Sequence, residues 1–250
     1  MHGLFGGELA PVTFSWGFVE APFDLYCENL LAWWNYISIE FEAVTVDEDV
    51  RCALRRLEPL QTPQNRYLVL DTKSRWTAVF NNGLRTSDLA GPVGHLSDKL
   101  NCRGLEISCI PDRSYVNQKD AVRTFGSVSF KLFGPGPTDW LNRIRTVAAM
   151  NDGGKWIFIS EGLPQPYEDQ QQYQKRKIVD RFTCEMLRAY CEALDIKLFD
   201  PGFYGTHGLL VNQLTKFPQV SPQMSIREAQ SHLYLSKDDD QPLNRKQYGS

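Results

Sequence analysis

His95 and Cys102 lie seven residues apart with Arg103 beside the thiol. A cysteine within reach of a histidine and a guanidinium is the pattern that makes a thiolate nucleophile. The simpler reading places His95 partly exposed on a short helix and packs Cys102 in the turn that follows, and it is preferred. Cys109 could join the pair as a metal ligand, but Cys109 and Ser108 alternate across a strand and Cys102 sits in a turn, so no metal is assigned. Glu161, Glu168 and Asp169 gather around a proline-containing loop at a sheet end, where a glycosidase could hold an acid and a base. Solvation of a loop accounts for them equally well. With Tyr167 and Tyr173 beside them, the same carboxylates suit recognition of a basic partner, aromatics giving contact area and acids complementarity.

A second polar set is Asn81-Asn-Gly-Leu-Arg-Thr-Ser-Asp88. Asn and Gly satisfy the turn; Arg85 and Asp88 are not needed for it, and either pair with each other or present a polar recognition edge. Asn151-Asp-Gly-Gly-Lys155 brings glycine and lysine together, but it is read as joining a helix to a strand, so it lacks the helix N-terminus that holds phosphate. Neither G-x-G-x-x-G nor G-x-S-x-G occurs. No catalytic residue, metal or cofactor is therefore assigned, and the expected partner-binding set is Arg85, Asp88, Glu161, Tyr167, Glu168 and Asp169.

The chain must position these residues with an ordinary globular composition: 250 residues, 42% hydrophobic and 23% charged, enough to bury a core. Lys plus Arg number 27 against 30 Asp plus Glu, a net charge of −3, which lacks the basic surplus of a nucleic-acid binder. The Lys175-Arg-Lys177 cluster reads as a solvated helix face. No stretch has the ~18 apolar residues of a membrane span, and Met1–Glu8 lacks the basic start and apolar core of a secretory signal. A cytoplasmic chain is expected. The six cysteines form no C-x-x-C pair, and four sit among apolar neighbours in regular patterns, so reduced, buried thiols are expected.

The elements read as follows. A strand spans Phe14–Glu20. A helix runs from an N-cap at Asp24 to about Ile37, with Leu30, Leu31, Trp33, Trp34 and Ile37 on an apolar surface that faces the core. Ile39–Val46 alternates as a strand. Arg66–Leu70 and Arg75–Phe80 form a hairpin around Asp71-Thr-Lys-Ser74. Val93–Leu100 is a short helix and Leu105–Ile110 a strand. Phe125–Phe133 is a strand, Thr138–Met150 a helix with Leu141, Ile144, Val147 and Ala148 as its stripe, Asn151–Gly154 its glycine stop, and Lys155–Ser160 a buried strand. Thr183 caps a helix whose face carries Met186, Leu187, Tyr190, Cys191 and Leu194. His232–Leu235 is a last short strand. The fold class is α+β, a largely antiparallel sheet with packed helices, because paired strands occur without regular βαβ alternation. Residues 1–217 form one domain, divisible into two similar halves meeting near 113–123, and 218–250 is a polar C-terminal segment.

Trp76-Thr-Ala-Val-Phe-Asn-Asn-Gly83, Val93–Leu100, Cys102-Arg-Gly-Leu-Glu-Ile-Ser-Cys-Ile110 and Gly153-Gly-Lys-Trp-Ile-Phe158 together resemble the cytosolic α+β immunity proteins of bacterial polymorphic and contact-delivered toxin systems, over about a third of the chain. The resemblance implies neutralisation of a toxin by direct binding, without catalysis, and carries over no particular residue. The competing readings are a hydrolase with an active site assembled from distant loops, and a scaffold subunit that docks another chain through Trp33 and Trp34.

Overall fold

The computed structural model describes residues 3–84, 89–114, 123–135, 142–214, 220–233 and 235. In chain order the elements are β1 (Ser15–Val19), α1 (Phe23–Tyr36), β2 (Phe41–Asp47), α2 (Val50–Arg55), β3 (Arg66–Thr72), β4 (Thr77–Asn81), α3 (Leu96–Lys99), β5 (Gly104–Ile110), β6 (Ser127–Phe133), β7 (Arg143–Asp152), β8 (Lys155–Gly162), α4 (Cys184–Ala193), β9 (Tyr204–Gln213) and α5 (Ile226–His232). The nine strands make one sheet in the order β2-β9-β3-β4-β1-β5-β6-β7-β8. Every neighbouring pair is antiparallel. The protein is α+β, with helices packed on an antiparallel sheet.

Alternation along each strand divides the core in two. On one face Trp16, Phe18, Leu68, Phe80, Ile107, Phe130 and Val147 meet Leu187 and Tyr190 of α4 and Leu194 at its C-cap, with α2 and α5 beside them. On the other, Val19, Tyr67, Val69, Val79 and Val211 meet Tyr26, Leu30 and Trp34 of α1 and Leu96 of α3. Trp34 is buried edge-on to Phe41 and Tyr67 at ring separations of 5.8 and 5.2 Å. Trp33 stacks on His95 at 4.4 Å. This pair of tryptophans is occupied with packing. The α1 helix starts one residue before Asp24, with Pro22 at the N-cap and Asp24 in the first turn, where its charge complements the helix dipole. At α4 the Thr183 hydroxyl does accept from the Met186 amide at 3.3 Å.

Four elements differ from their sequence reading. The expected helix Thr138–Met150 begins outside the described residues, and its described part is the strand β7. The glycines that were to stop a helix instead make a two-residue hairpin turn: Asp152 pairs with Lys155, and Gly153 and Gly154 have φ of 62° and 107°. Glycine at positive φ serves a helix C-terminus and a tight hairpin alike. The echo of one half of the chain in the other thereby disappears. β8 is a half-exposed edge strand and not a buried one. β9, which sequence reading missed, lies between β2 and β3. Its glycines permit close approach, since a Cβ on Gly208 would fall 2.9 Å from the Val69 carbonyl oxygen. Finally, His232 ends a helix, α5, whose Ile226 and Ala229 enter the core.

The cysteines also depart from expectation. Cys109 on β5 and Cys184 at the start of α4 are joined by a disulfide with Cα atoms 6.0 Å apart, while Cys27, Cys52, Cys102 and Cys191 are free. β5 and α4 are remote in sequence but adjacent across the core, which spacing alone could not reveal. Thiol titration of the denatured, unreduced chain should find four reactive thiols; six would disprove the bridge. Because it closes a loop across a sequence separation of 75, replacing both cysteines by Ser should lower unfolding stability by about 2–4 kcal/mol.

Candidate functional site

β7 places Arg145 in phase with Val147 and Ala149, which puts a guanidinium inside the apolar layer beneath α4. Its side chain is 1% exposed and that of Glu168 is 0% exposed. An isolated charge there would be untenable, so the pair must be saturated. Arg145 Nε and Nη2 donate to the two Glu168 oxygens at 2.7 and 2.6 Å. Nη1 donates to the carbonyls of Glu161 and Gly162 at 3.0 and 3.1 Å, and Nη2 also to Ser160 Oγ at 3.0 Å. All five guanidinium donors are thereby used. Glu168 additionally accepts from the Gln165 amide and the Tyr173 hydroxyl, both at 2.9 Å. Tyr173 and Tyr190 share a 2.8 Å hydroxyl contact, and Tyr190 Oη accepts from the Asp169 amide at 3.0 Å.

This network holds the loop 161–169 from below. Gly162 has φ +80°, and a Cβ there would lie 2.1 Å from the Ile144 carbonyl oxygen, so only glycine fits the exit from β8. Pro164 and Pro166 stiffen the segment that follows. Leu163, the first residue after β8, is 80% exposed, and Glu161 and Asp169 in the same segment are exposed as well. Arg143 approaches Glu161 at 3.7 Å. The result is an exposed leucine and two exposed carboxylates on one segment with a fixed base.

The expected partner-binding residues therefore take different roles. Glu161 and Asp169 are on the surface. Glu168 is not: it is the buried anchor, because Arg145 on the apolar face requires a carboxylate. Tyr167 turns inward against Phe130 and Tyr190 at 6.3 and 5.7 Å, and its hydroxyl, for which no hydrogen-bond partner is found, is pushed up by burial. Arg85 and Asp88 lie outside the described residues. Sequence reading missed Leu163 and Arg145. Reading Arg143–Asp152 as a strand would have exposed Arg145 among Val147 and Ala149, and with it the demand for a buried acid.

The thiol reading fails on chemistry. Burial and the Glu20 carboxylate push Cys102 up to about 11. Arg103 is committed to Glu20 at 2.6 and 2.9 Å, and burial lowers His95. Cys109 is spent in the disulfide. Among the described residues no group of three His, Cys, Asp or Glu side chains could hold a metal, and no helix is long and apolar enough to cross a membrane. A shallow concavity of about 560 Å³ beyond α4 is lined by Arg188, Glu192, Asp195, Lys197, Leu198, Phe199 and Asp200, but Asp200 is engaged with the Gly202 amide and Arg188 pairs with Glu192 at 3.7 Å. No protein-family model, curated protein or solved structure matches the chain.

Breaking the anchor should be costly: Arg145→Met or Glu168→Gln should lose about 3–5 kcal/mol in urea unfolding, whereas Asp169→Lys should stay within about 0.5 kcal/mol. Burial pushes the Glu168 carboxyl up, but the hydrogen bonds from Arg145, Gln165 and Tyr173 outweigh it and the net shift is downward from 4.5. A depressed native value means the contribution is complete above the unfolded value and fades as pH falls through the native one. The stability gap between wild type and Glu168→Gln should accordingly narrow below pH 4.5; a gap constant down to acid unfolding would contradict this assignment.

Proposed function

We propose that the protein works by binding a protein partner through the 161–169 loop, most concretely as an immunity protein that masks a bacterial toxin. The observation that carries this reading is Leu163, 80% exposed on a segment whose backbone is tied down at Glu161, Gly162, Gln165 and Asp169. A large apolar side chain held out in one position enters a partner's pocket without the ordering penalty of a mobile loop. Its acidic flanks suit a basic rim on the partner and favour rapid association. Glu161 and Asp169 keep the partner-facing role expected of them, with Leu163 as the anchor; Glu168 and Tyr167 support them from within. An immunity role would place the chain in the cytoplasm, where its fold must tolerate reduction of the Cys109–Cys184 bridge.

Tagged wild-type chain and a Leu163→Asp variant should be used as parallel baits on lysate of the source organism. A partner held by wild type should be lost from the variant, with affinity down by about 2 kcal/mol or more, roughly 30-fold. Asp169→Lys should act mainly on the association rate. Co-expression should then show the chain suppressing that partner's toxicity. Equal retention on both baits would remove the loop as the docking surface, and turnover of a substrate by the purified chain would remove the binding reading.

A further inference from the structure

The sheet ends on two strands of opposite character. β2 carries Glu42 and Asp47, with Glu40 and Glu48 immediately beyond. All its charges are acidic, so a second copy laid along it would meet like with like. β8, at the other end, pairs with β7 over eight consecutive positions without a bulge. It contains no proline, and Trp156, Ile157, Phe158 and Ile159 are all half-buried. Long regular apolar edges of this kind are the ones natural sheets otherwise blunt.

The chemistry of β8 is palindromic about Phe158. An antiparallel copy related by a two-fold axis at that residue would set Phe158 opposite Phe158, Ile157 opposite Ile159, Trp156 opposite Ser160 and Lys155 opposite Glu161. Lys155 and Glu161 are both exposed, and each forms an opposite-charge pair in this register. The backbone phase agrees. A two-residue turn closes on a hydrogen-bonded pair, here Asp152 and Lys155, so Lys155, Ile157, Ile159 and Glu161 direct their N–H and C=O groups to β7. Trp156, Phe158 and Ser160 direct theirs outward, and in this register they meet one another. A slip of one residue would set outward groups against inward ones; a slip of two would set Lys155 or Glu161 against isoleucine.

We propose that two copies of the chain associate through β8, antiparallel about Phe158, so that the sheet continues across a two-fold interface. The strand carries its own complement in shape, charge and hydrogen-bond phase, which favours a second copy over a foreign strand. The interface shares Glu161 with the surface proposed for a partner but leaves out Leu163, which lies beyond the paired residues, so Leu163→Asp leaves association unchanged and the two ideas fail separately.

The test is complementation. By symmetry Lys155→Glu places acid opposite acid twice, and Glu161→Lys places base opposite base twice. In analytical ultracentrifugation across a dilution series, wild type should show a concentration-dependent dimer. Each variant alone should dimerise at least about tenfold more weakly, and an equimolar mixture of the two should recover wild-type association. In the wild-type chain, amide exchange at 156, 158 and 160 should slow with concentration while that at 43 and 45 on the free edge of β2 does not. A monomer throughout the series, variants that dimerise as wild type does, a mixture that stays monomeric, or unchanged exchange at 156–160 would each overturn the proposal.

Discussion

The buried ion pair between Arg145 and Glu168 is the constraint on which this end of the molecule depends. Two charges in an apolar layer are weak evidence for stability in general, because desolvation opposes their attraction. Here every donor of Arg145 has an acceptor, and Glu168 takes four hydrogen bonds. This arrangement of the loop leaves both groups satisfied. The pair thus specifies a path for the chain, from the end of β8 over the sheet and back onto α4 through Tyr173 and Tyr190. The disulfide holds the start of α4 to β5, so that helix is fixed to the sheet at its first residue and again where Tyr190 meets the loop.

Where local pattern and tertiary packing agree, the sequence was readable. The β3–β4 hairpin, α1, β5, β6 and the Thr183 cap all follow from alternation, helical spacing or cap chemistry. β7 failed because Leu141, Ile144, Val147 and Ala148 satisfy a helical stripe while the same stretch also alternates, and the deciding glycine pair is compatible with both. β9 failed because Gly205 and Gly208 interrupt its pattern, although they are the residues that let β3 pack close. Of the candidate site, the loop's location and its acidic surface were legible. The division of labour within it was not, since three neighbouring residues of similar polarity, Tyr167, Glu168 and Asp169, point to different environments fixed by a partner more than 20 residues away.

That division also changes what the loop can do. Tyr167 and Glu168, which looked like part of a recognition surface, form its foundation, and the large apolar side chain it leaves exposed is a leucine that composition would assign to the core. A fixed apolar projection with a charged rim suits recognition of another protein's pocket better than chemistry on a small molecule. Beneath it the Arg145–Glu168 pair is saturated with hydrogen bonds.

The position of β9 has a consequence for how the protein is made. It is the last of the described strands to be synthesised, yet it lies between β2 and β3 and pairs with both. Until residues 204–213 leave the ribosome, one edge of β3 has no partner and β2 has none at all. Long-range pairing of this kind is slow, and it leaves strand edges open to wrong partners while translation continues. The nascent chain must therefore carry these unpaired strand edges until β9 emerges, and only then can this half of the sheet close.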